Sequence, residues 1–231
     1  MKALVLAAGK GVRLRPITLE KPKPLIEVAG KPFLYFVLKN LRKAGFKDIA
    51  IVVNYKKEMI EEFIINENIK AKLIVQSETL GTGHAVKTAE EWAGNDDFIV
   101  LMGDNLYSPE DLHAMKRYDE FCYVAGTYSD HPENYGVLIT QGEFLLKIVE
   151  KPKELIGDII NTGLYKFTPE IFRALGMIKK SERGEYELTD ALSILAKEKK
   201  VKVIEISGYW MKMDSKQDIE NLNKFLSEHY E

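Results

Sequence analysis

Over its first hundred or so residues this chain alternates continuous apolar runs with stretches of helical periodicity. "KALVLAAG" is a buried strand that ends in glycine, and "PFLYFVLKNLRKAG" sets Leu34, Val37, Leu38, Leu41 and Ala44 at helical spacing before a glycine stop. "DIAIVVN" is a second strand, "KKEMIEEFII" repeats the helical pattern with Met59, Ile60, Phe63 and Ile64, and "KLIVQ" is a third strand. "HAVKTAEEWAG" reads as a helix before the strand "DFIVLMGD". Strands that are apolar on both faces and separated by helices predict a mainly parallel sheet covered on both sides. Such sheets bind ligands beyond the carboxyl ends of their strands, so the residues that follow each strand are the place to look for a site.

After about residue 120 the rhythm changes. "FCYVAGTY", "YGVLIT" and "EFLLKIVEK" follow one another, the last two joined by "QG" as a hairpin, and "DIINTGLYKF" and "VKVIEIS" supply further strands. Residues 169–177 and 184–198 read as helices, and "SKQDIENLNKFLSEH" as a capped amphipathic helix. Neither a repeat nor a linker interrupts the chain. The expectation is one α/β domain over 1–231 with three layers and a mainly parallel mixed sheet. Within it, a lobe of about 1–120 would precede a smaller antiparallel lobe of about 121–231.

Net charge is −2 with an isoelectric point near 6.2, which speaks against nucleic acid or an acidic membrane as a partner. The charge is unevenly spread, however: residues 1–31 hold Lys2, Lys10, Arg13, Arg15, Lys21, Lys23 and Lys31 against Glu20 and Glu27. A small anion fits that distribution better than a polyanion. Cys122 is the only cysteine, which excludes a disulfide framework and a cysteine zinc site and points to a reducing, cytoplasmic setting. No apolar run is long enough to span a bilayer, and the N-terminal one is too short for a signal peptide. His84, His113, His131 and His229 make no metal signature.

The local positive charge centres on "LAAGKGVRLRP" and, after the four residues "ITLE", on "KPKPL". Gly9 and Gly11 let backbone N–H groups approach a ligand, Arg13 and Lys23 can pair with phosphate oxygens, and Pro22 and Pro24 stiffen the loop around Lys23. The competing reading is a tight turn with solvated cations. The stretch is not a Walker A loop, and Leu14 stands where a dinucleotide fingerprint needs its third glycine, which counts against a nicotinamide oxidoreductase.

"LAAGKGVRLRPITLEKPKPL" resembles the signature of the sugar-1-phosphate nucleotidylyltransferases, and the similarity continues through "GTGHAV", "MGDN", "YGVL", "VEKP", "NTGLY" and "GEYELTD". The resemblance implies a Rossmann-like, glycosyltransferase A-like fold. The implied reaction joins a nucleoside triphosphate to a sugar 1-phosphate, with Mg²⁺ as cofactor and pyrophosphate as the second product. It implies that Leu6, Ala8, Gly9 and Gly11 meet the nucleotide, that Arg13 holds the departing phosphates, and that Lys23 reaches the reacting ones. Gln76, Gly81 and Thr82 would read the base, in a stretch similar to the uracil-binding segment of N-acetylglucosamine-1-phosphate uridyltransferases. Tyr135, Gly136, Glu150 and Asn161 would bind the sugar, and Lys151 its phosphate.

Asp104 follows the strand "FIVLM" at its carboxyl end, where a hard oxygen ligand suits Mg²⁺; the alternative is a turn or helix-capping aspartate before "SPEDL". One departure stands out. Thymidylyl- and guanylyltransferases usually carry a second metal aspartate two residues after a tryptophan, where this chain has Lys212 after Trp210. Asp214 lies on the same side of a strand, and "MDSKQD" resembles phosphocholine cytidylyltransferases, so Asp214 is the expected second ligand with Asp218 in reserve. UTP with N-acetylglucosamine 1-phosphate is the expected pair. Glucose 1-phosphate with UTP or dTTP, and CTP with phosphocholine or another alcohol phosphate, are the alternatives. A regulatory subunit without turnover is the contrasting class, against which Arg13, Lys23 and Asp104 count. The chain leaves no room for the β-helix acetyltransferase domain of some relatives, so acetyl transfer is not expected. Oligomeric state is open, a homo-oligomer included.

Overall fold

The computed structural model describes residues 1–230. Strand β1 (Lys2–Leu6) leads into the turn α1 (Ile17–Glu20) and the two-residue ribbon β2 (Glu27–Val28) and β3 (Lys31–Pro32), then into α2 (Phe33–Lys43) and β4 (Ile49–Val53). All five side chains of β4 are buried, as a strand covered on both faces requires. Next come α3 (Lys57–Asn66), β5 (Lys72–Val75), α4 (Thr82–Thr88), α5 (Glu90–Ala93), β6 (Phe98–Met102), β7 (Asn105–Tyr107) and α6 (Pro109–Ala114). The second half holds β8 (Cys122–Tyr128), β9 (Gly136–Gln141), β10 (Phe144–Glu150), β11 (Ile159–Phe167), α7 (Glu170–Leu175), α8 (Leu188–Lys197), β12 (Val201–Glu205), β13 (Trp210–Lys212) and α9 (Lys216–His229).

Nine strands form one mixed sheet in the order β5-β4-β1-β6-β11-β8-β12-β10-β9. The first four are parallel, with β1 pairing Ala3 with Ile49 on one side and Lys2 with Phe98 on the other. β11 joins the halves, running antiparallel to β6 through Leu164–Phe167 and to β8 along both its ends. Its register with β8 shifts between Asn161 and Tyr165, and beyond that irregularity Ile160 pairs with Val137 of β9. Only β12 runs parallel to β8, so the second half is not wholly antiparallel.

Helices cover both faces. Leu34, Val37, Leu38, Leu41 and Ala44, the residues that the periodicity singles out, are all buried in one core with Ile60, Phe63, Ile64 and Leu222. The other core gathers Ala85, Val86, Phe172, Leu188, Leu192 and Leu195 against Leu4, Val52 and Val100. Three helical expectations are shortened, residues 169–177 to the six of α7 among them. "HAVKTAEEWAG" breaks at Ala89 into α4 and α5, and α8 starts only at Leu188 because residues 185–187 are held extended against the loop before α4. The "QG" hairpin is as expected, with Gly142 at its turn between β9 and β10.

Candidate active site

At the carboxyl ends of β1, β5 and β6 lies a cavity of about 550 Å³. Ten of the expected residues line it: Leu6, Ala8, Gly9, Gly11, Arg13, Lys23, Gln76, Gly81, Thr82 and Asp104. The first loop is shaped by two glycines for different reasons. Gly11 has φ +60, a left-handed conformation that side chains disfavour, and a Cβ there would lie 2.9 Å from Thr18 Cγ2. At Gly9 no atom lies within 4 Å of where a Cβ would sit, so this glycine leaves open space over the cavity floor. The Thr18 hydroxyl donates to the Gly11 carbonyl at 2.9 Å, and the Tyr55 hydroxyl donates to the Thr18 carbonyl at 3.0 Å, which ties the loop to the parallel half of the sheet.

Lys23, between its two prolines, occupies a single 3-10 turn, and its side chain is buried. Its ammonium donates to Asp104 Oδ2 at 2.5 Å and to Asp214 Oδ1 at 2.8 Å, and Arg13 Nη2 stands 2.9 Å from the same Asp214 oxygen. Burial by itself would raise the Asp214 carboxyl, but the hydrogen bond from Lys23 and the charges of Lys23, Arg13 and Lys212 outweigh it and hold the pKa below the ordinary carboxylate value. The backbone sets this convergence: β13 pairs with β7 in the register Lys212 to Asn105, and Met213 N–H donates to the Asp104 carbonyl at 3.0 Å. Two carboxylates within reach of one ammonium form an all-oxygen donor pair that fits Mg²⁺, which keeps most of its waters and takes one or two protein carboxylates. Among the described residues there is no group of three or more metal-ligating side chains. Asp218, the reserve ligand, is engaged elsewhere: its carboxylate accepts from the N–H groups of Asp214 and Ser215 at 2.8 Å in the capping box of α9.

Gln76 is buried, yet it lines the cavity. Its side-chain amide lies 2.9 Å from His84 Nδ1 and donates to the Gly81 carbonyl at 3.3 Å, while the His84 ring stacks on Tyr186. The segment "GEYEL" is therefore a strap over the loop that leads into α4. Tyr186 N–H donates to Leu80, Gly83 N–H donates to Tyr186, and the Thr82 hydroxyl accepts from Leu188 N–H at the start of α8. His84, Tyr186 and Glu185, which also lines the cavity, lie in "GTGHAV" and "GEYELTD" without a site role assigned by sequence; His84 meets Gln76 within its own stretch, and the two stretches meet about a hundred residues apart.

Tyr135, Gly136, Glu150, Lys151 and Asn161 lie outside that cavity's lining; the first four meet as a second group at the open end of the β9–β10 hairpin, and Asn161 lies on β11. Lys151 N–H donates to the Tyr135 carbonyl at 2.9 Å, and Gly136 pairs with Glu150 across the β9–β10 hairpin. Asn161 donates to the Tyr165 hydroxyl at 2.9 Å and accepts from Gly163 N–H at 2.9 Å. Burial raises the Glu150 pKa; Arg183 and Lys151 oppose the rise, while Glu187 and Asp190 add to it. A relay joins this group to the carboxylates. The Tyr135 ring packs edge-on against Trp210 at 5.9 Å, Trp210 Nε1 donates to Asn105 Oδ1 at 3.0 Å, and Asn105 Nδ2 donates to Asp104 Oδ1 at 3.1 Å.

The family model described as nucleotidyl transferase matches residues 2–229. The chain belongs to this nucleotidyl transferase family. It is 41% identical over 227 residues to the bifunctional protein GlmU of Methanocaldococcus jannaschii, a match that covers 98% of this chain and 54% of that protein. The UTP–glucose-1-phosphate uridylyltransferase AglF of Haloferax volcanii is 35% identical, with 99% of this chain and 97% of the relative covered. The chain thus spans about half the length of the GlmU relatives that it matches. Among solved structures, a putative glucose-1-phosphate thymidylyltransferase from Bacillus anthracis superposes with TM-score 0.85 at 29% identity, covering 97% of this chain and 94% of the other. A UDP-glucose pyrophosphorylase complexed with UDP-glucose superposes with TM-score 0.86 at 26% identity, with 98% of each chain covered. The Rossmann-like expectation is borne out by these neighbours. Among the described residues no helix is long and apolar enough to cross a membrane.

Proposed function

We propose that the protein is a sugar-1-phosphate nucleotidylyltransferase, with UTP and N-acetylglucosamine 1-phosphate as its preferred pair. The observation that carries this reading is the meeting of Arg13, Lys23 and Asp104 at one cavity beside Gln76, with Asp214, outside the lining, joined to them by its ion pairs with Lys23 and Arg13. The chemistry asks for little else. A phosphate monoester is mostly dianionic at neutral pH, so its oxygen is already a nucleophile and needs no general base. That oxygen forms a bond to the α-phosphorus of the triphosphate, and the bond to the β-phosphate oxygen breaks with its electron pair leaving on pyrophosphate. The barrier is repulsion between anions and alignment of the two reactants.

In this scheme the N–H groups of residues 9–11 and the Arg13 guanidinium bind the departing phosphates, and Lys23 neutralises charge between the two reactants. Asp104 and Asp214 would hold Mg²⁺, which when bound supplies further neutralisation of phosphate charge. The Gln76 amide, fixed by His84 and Gly81, faces the base, and the hairpin residues Tyr135, Gly136, Glu150 and Lys151 with Asn161 receive the sugar phosphate. A second reading, cytidylyl transfer to an alcohol phosphate such as phosphocholine, is favoured by one observation: the partner of Asp104 is Asp214, whereas position 212 holds a lysine.

The test is pyrophosphate release from each triphosphate with Mg²⁺ and a panel of phosphates. UTP with N-acetylglucosamine 1-phosphate is expected to be fastest. Fastest release with CTP and phosphocholine would select the second reading, and no release with any sugar phosphate would remove the first.

A further inference from the structure

Lys212 has no task in that scheme, yet it stands beside the carboxylates. Its ammonium lies 4.4 Å from the centroid of the Tyr135 ring and 4.0 Å from Asp214 Oδ2. The pairing of β13 with β7 sets it opposite Asn105, whose amide holds Asp104. Trp210, two residues earlier on the same face of β13, packs on the same Tyr135 ring. The position of the ammonium is therefore set from two sides, by an aromatic face and by a carboxylate. Both contacts are longer than a hydrogen bond, and a ring face attracts a cation without consuming its N–H groups. The three donors of the ammonium remain for water or a ligand.

We infer that Lys212 binds the phosphate of the acceptor on the Tyr135 side of the carboxylate pair. This rests on the reaction proposed above. An acceptor that carries close to two negative charges must come near Asp104 and Asp214, and a cation held beside Asp214 offsets that repulsion where a further carboxylate would add to it. Lys23 and Arg13 already serve the carboxylates on the other side of the pair. Tyr135 then acts as a positioning residue through its ring, besides any contact its backbone makes with the sugar.

The experiment compares the parent protein with Lys212→Met and Lys212→Arg. Calorimetry with Mg²⁺ and a non-hydrolysable UTP analogue measures affinity for N-acetylglucosamine 1-phosphate, and pyrophosphate release measures turnover. Loss of one charge-assisted phosphate contact should weaken acceptor binding about 10- to 100-fold in Lys212→Met. The analogue should still bind within about twofold, and Lys212→Arg should recover most of the acceptor affinity. A parent that binds the acceptor at least tenfold more tightly than Lys212→Met but releases no pyrophosphate keeps this inference and removes the reaction. A parent that turns over while Lys212→Met binds the acceptor equally well keeps the reaction and removes this inference. Equal losses for acceptor and UTP analogue, or no acceptor binding by the parent, also overturn it.

Discussion

At the amino end of β6, Asp97 holds Lys166, and at the carboxyl end Asp104 holds Lys23. Both lysines are buried and both face two aspartates, but their surroundings differ. Lys166 is fully enclosed: its ammonium reaches Asp97 at 2.9 Å and donates to the carbonyls of Asp119 and Phe121 at 2.8 Å, which uses all three donors on the protein itself. Lys23 has two carboxylate partners beside an open cavity, and one of them, Asp214, also meets Arg13. A buried ammonium is tolerated in either way. Saturation by backbone makes a clamp, whereas pairing with accessible carboxylates makes a set of charges that an incoming anion and cation can rearrange.

The largest effect should come from the open end. Asp104→Asn is expected to lower turnover about a hundred- to a thousandfold with the circular dichroism spectrum unchanged, since preorganised charge stabilisation is worth that much. A loss below tenfold would mean that the carboxyl-end pair is as structural as the other one. Lys166→Met should do the reverse. It leaves Asp97 without its partner, and urea unfolding should show a loss of about 3 kcal/mol while turnover well below the melting temperature stays within about twofold. A matching loss of activity would tie the closed end to the chemistry and break the distinction.

Two smaller tests sharpen the same contrast. Gly81 has φ +96, and a Cβ there would sit 2.7 Å from the Tyr186 carbonyl oxygen, so Gly81→Ala must displace the strap. Triphosphate affinity, measured by calorimetry, should fall about tenfold, in keeping with a strain of 1–2 kcal/mol at a left-handed position. Glu150→Gln should give the smallest change. Glu150 is exposed at the end of β10 and only partly desolvated, so its raised pKa counts for little: the charged form opposes folding weakly above that pKa and ceases to do so once it is protonated. The glutamine variant should melt slightly higher than the parent at pH 7, and the difference should vanish near pH 4, below the ordinary carboxylate value.

Much of this arrangement is legible in the sequence. Continuous apolar runs identify β1, β4 and β6, because a strand covered on both faces has no polar alternation to display. Asp104 is found by its place one residue beyond Gly103 at the end of such a strand, and the glycine loop by its density of charge. The strap is not legible: "GEYELTD" has the composition of a helix start, and only its docking on Leu80 and Gly83 keeps residues 185–187 extended. Asp218 illustrates the same limit at short range. A carboxylate three residues after a serine is equally a cap and a reserve ligand until the capping box is seen. His84 stands in the stretch "GTGHAV", but nothing local tells that its ring lies 2.9 Å from the Gln76 amide.

The sequence by itself determined the order of the longer strands and helices, though not the short strands β2, β3 and β7, and the kind of charge at the strand ends, because periodicity and flanking residues are local properties. Only the tertiary structure decided which charges meet. Lys23 reaches Asp104 across 81 residues and Asp214 across 191, and Lys212 faces Tyr135 because β13 pairs with β7 in one register. Separations of that length carry no periodicity; they are closed by the packing of the sheet, which brings the ends of β1, β6 and β13 to one side.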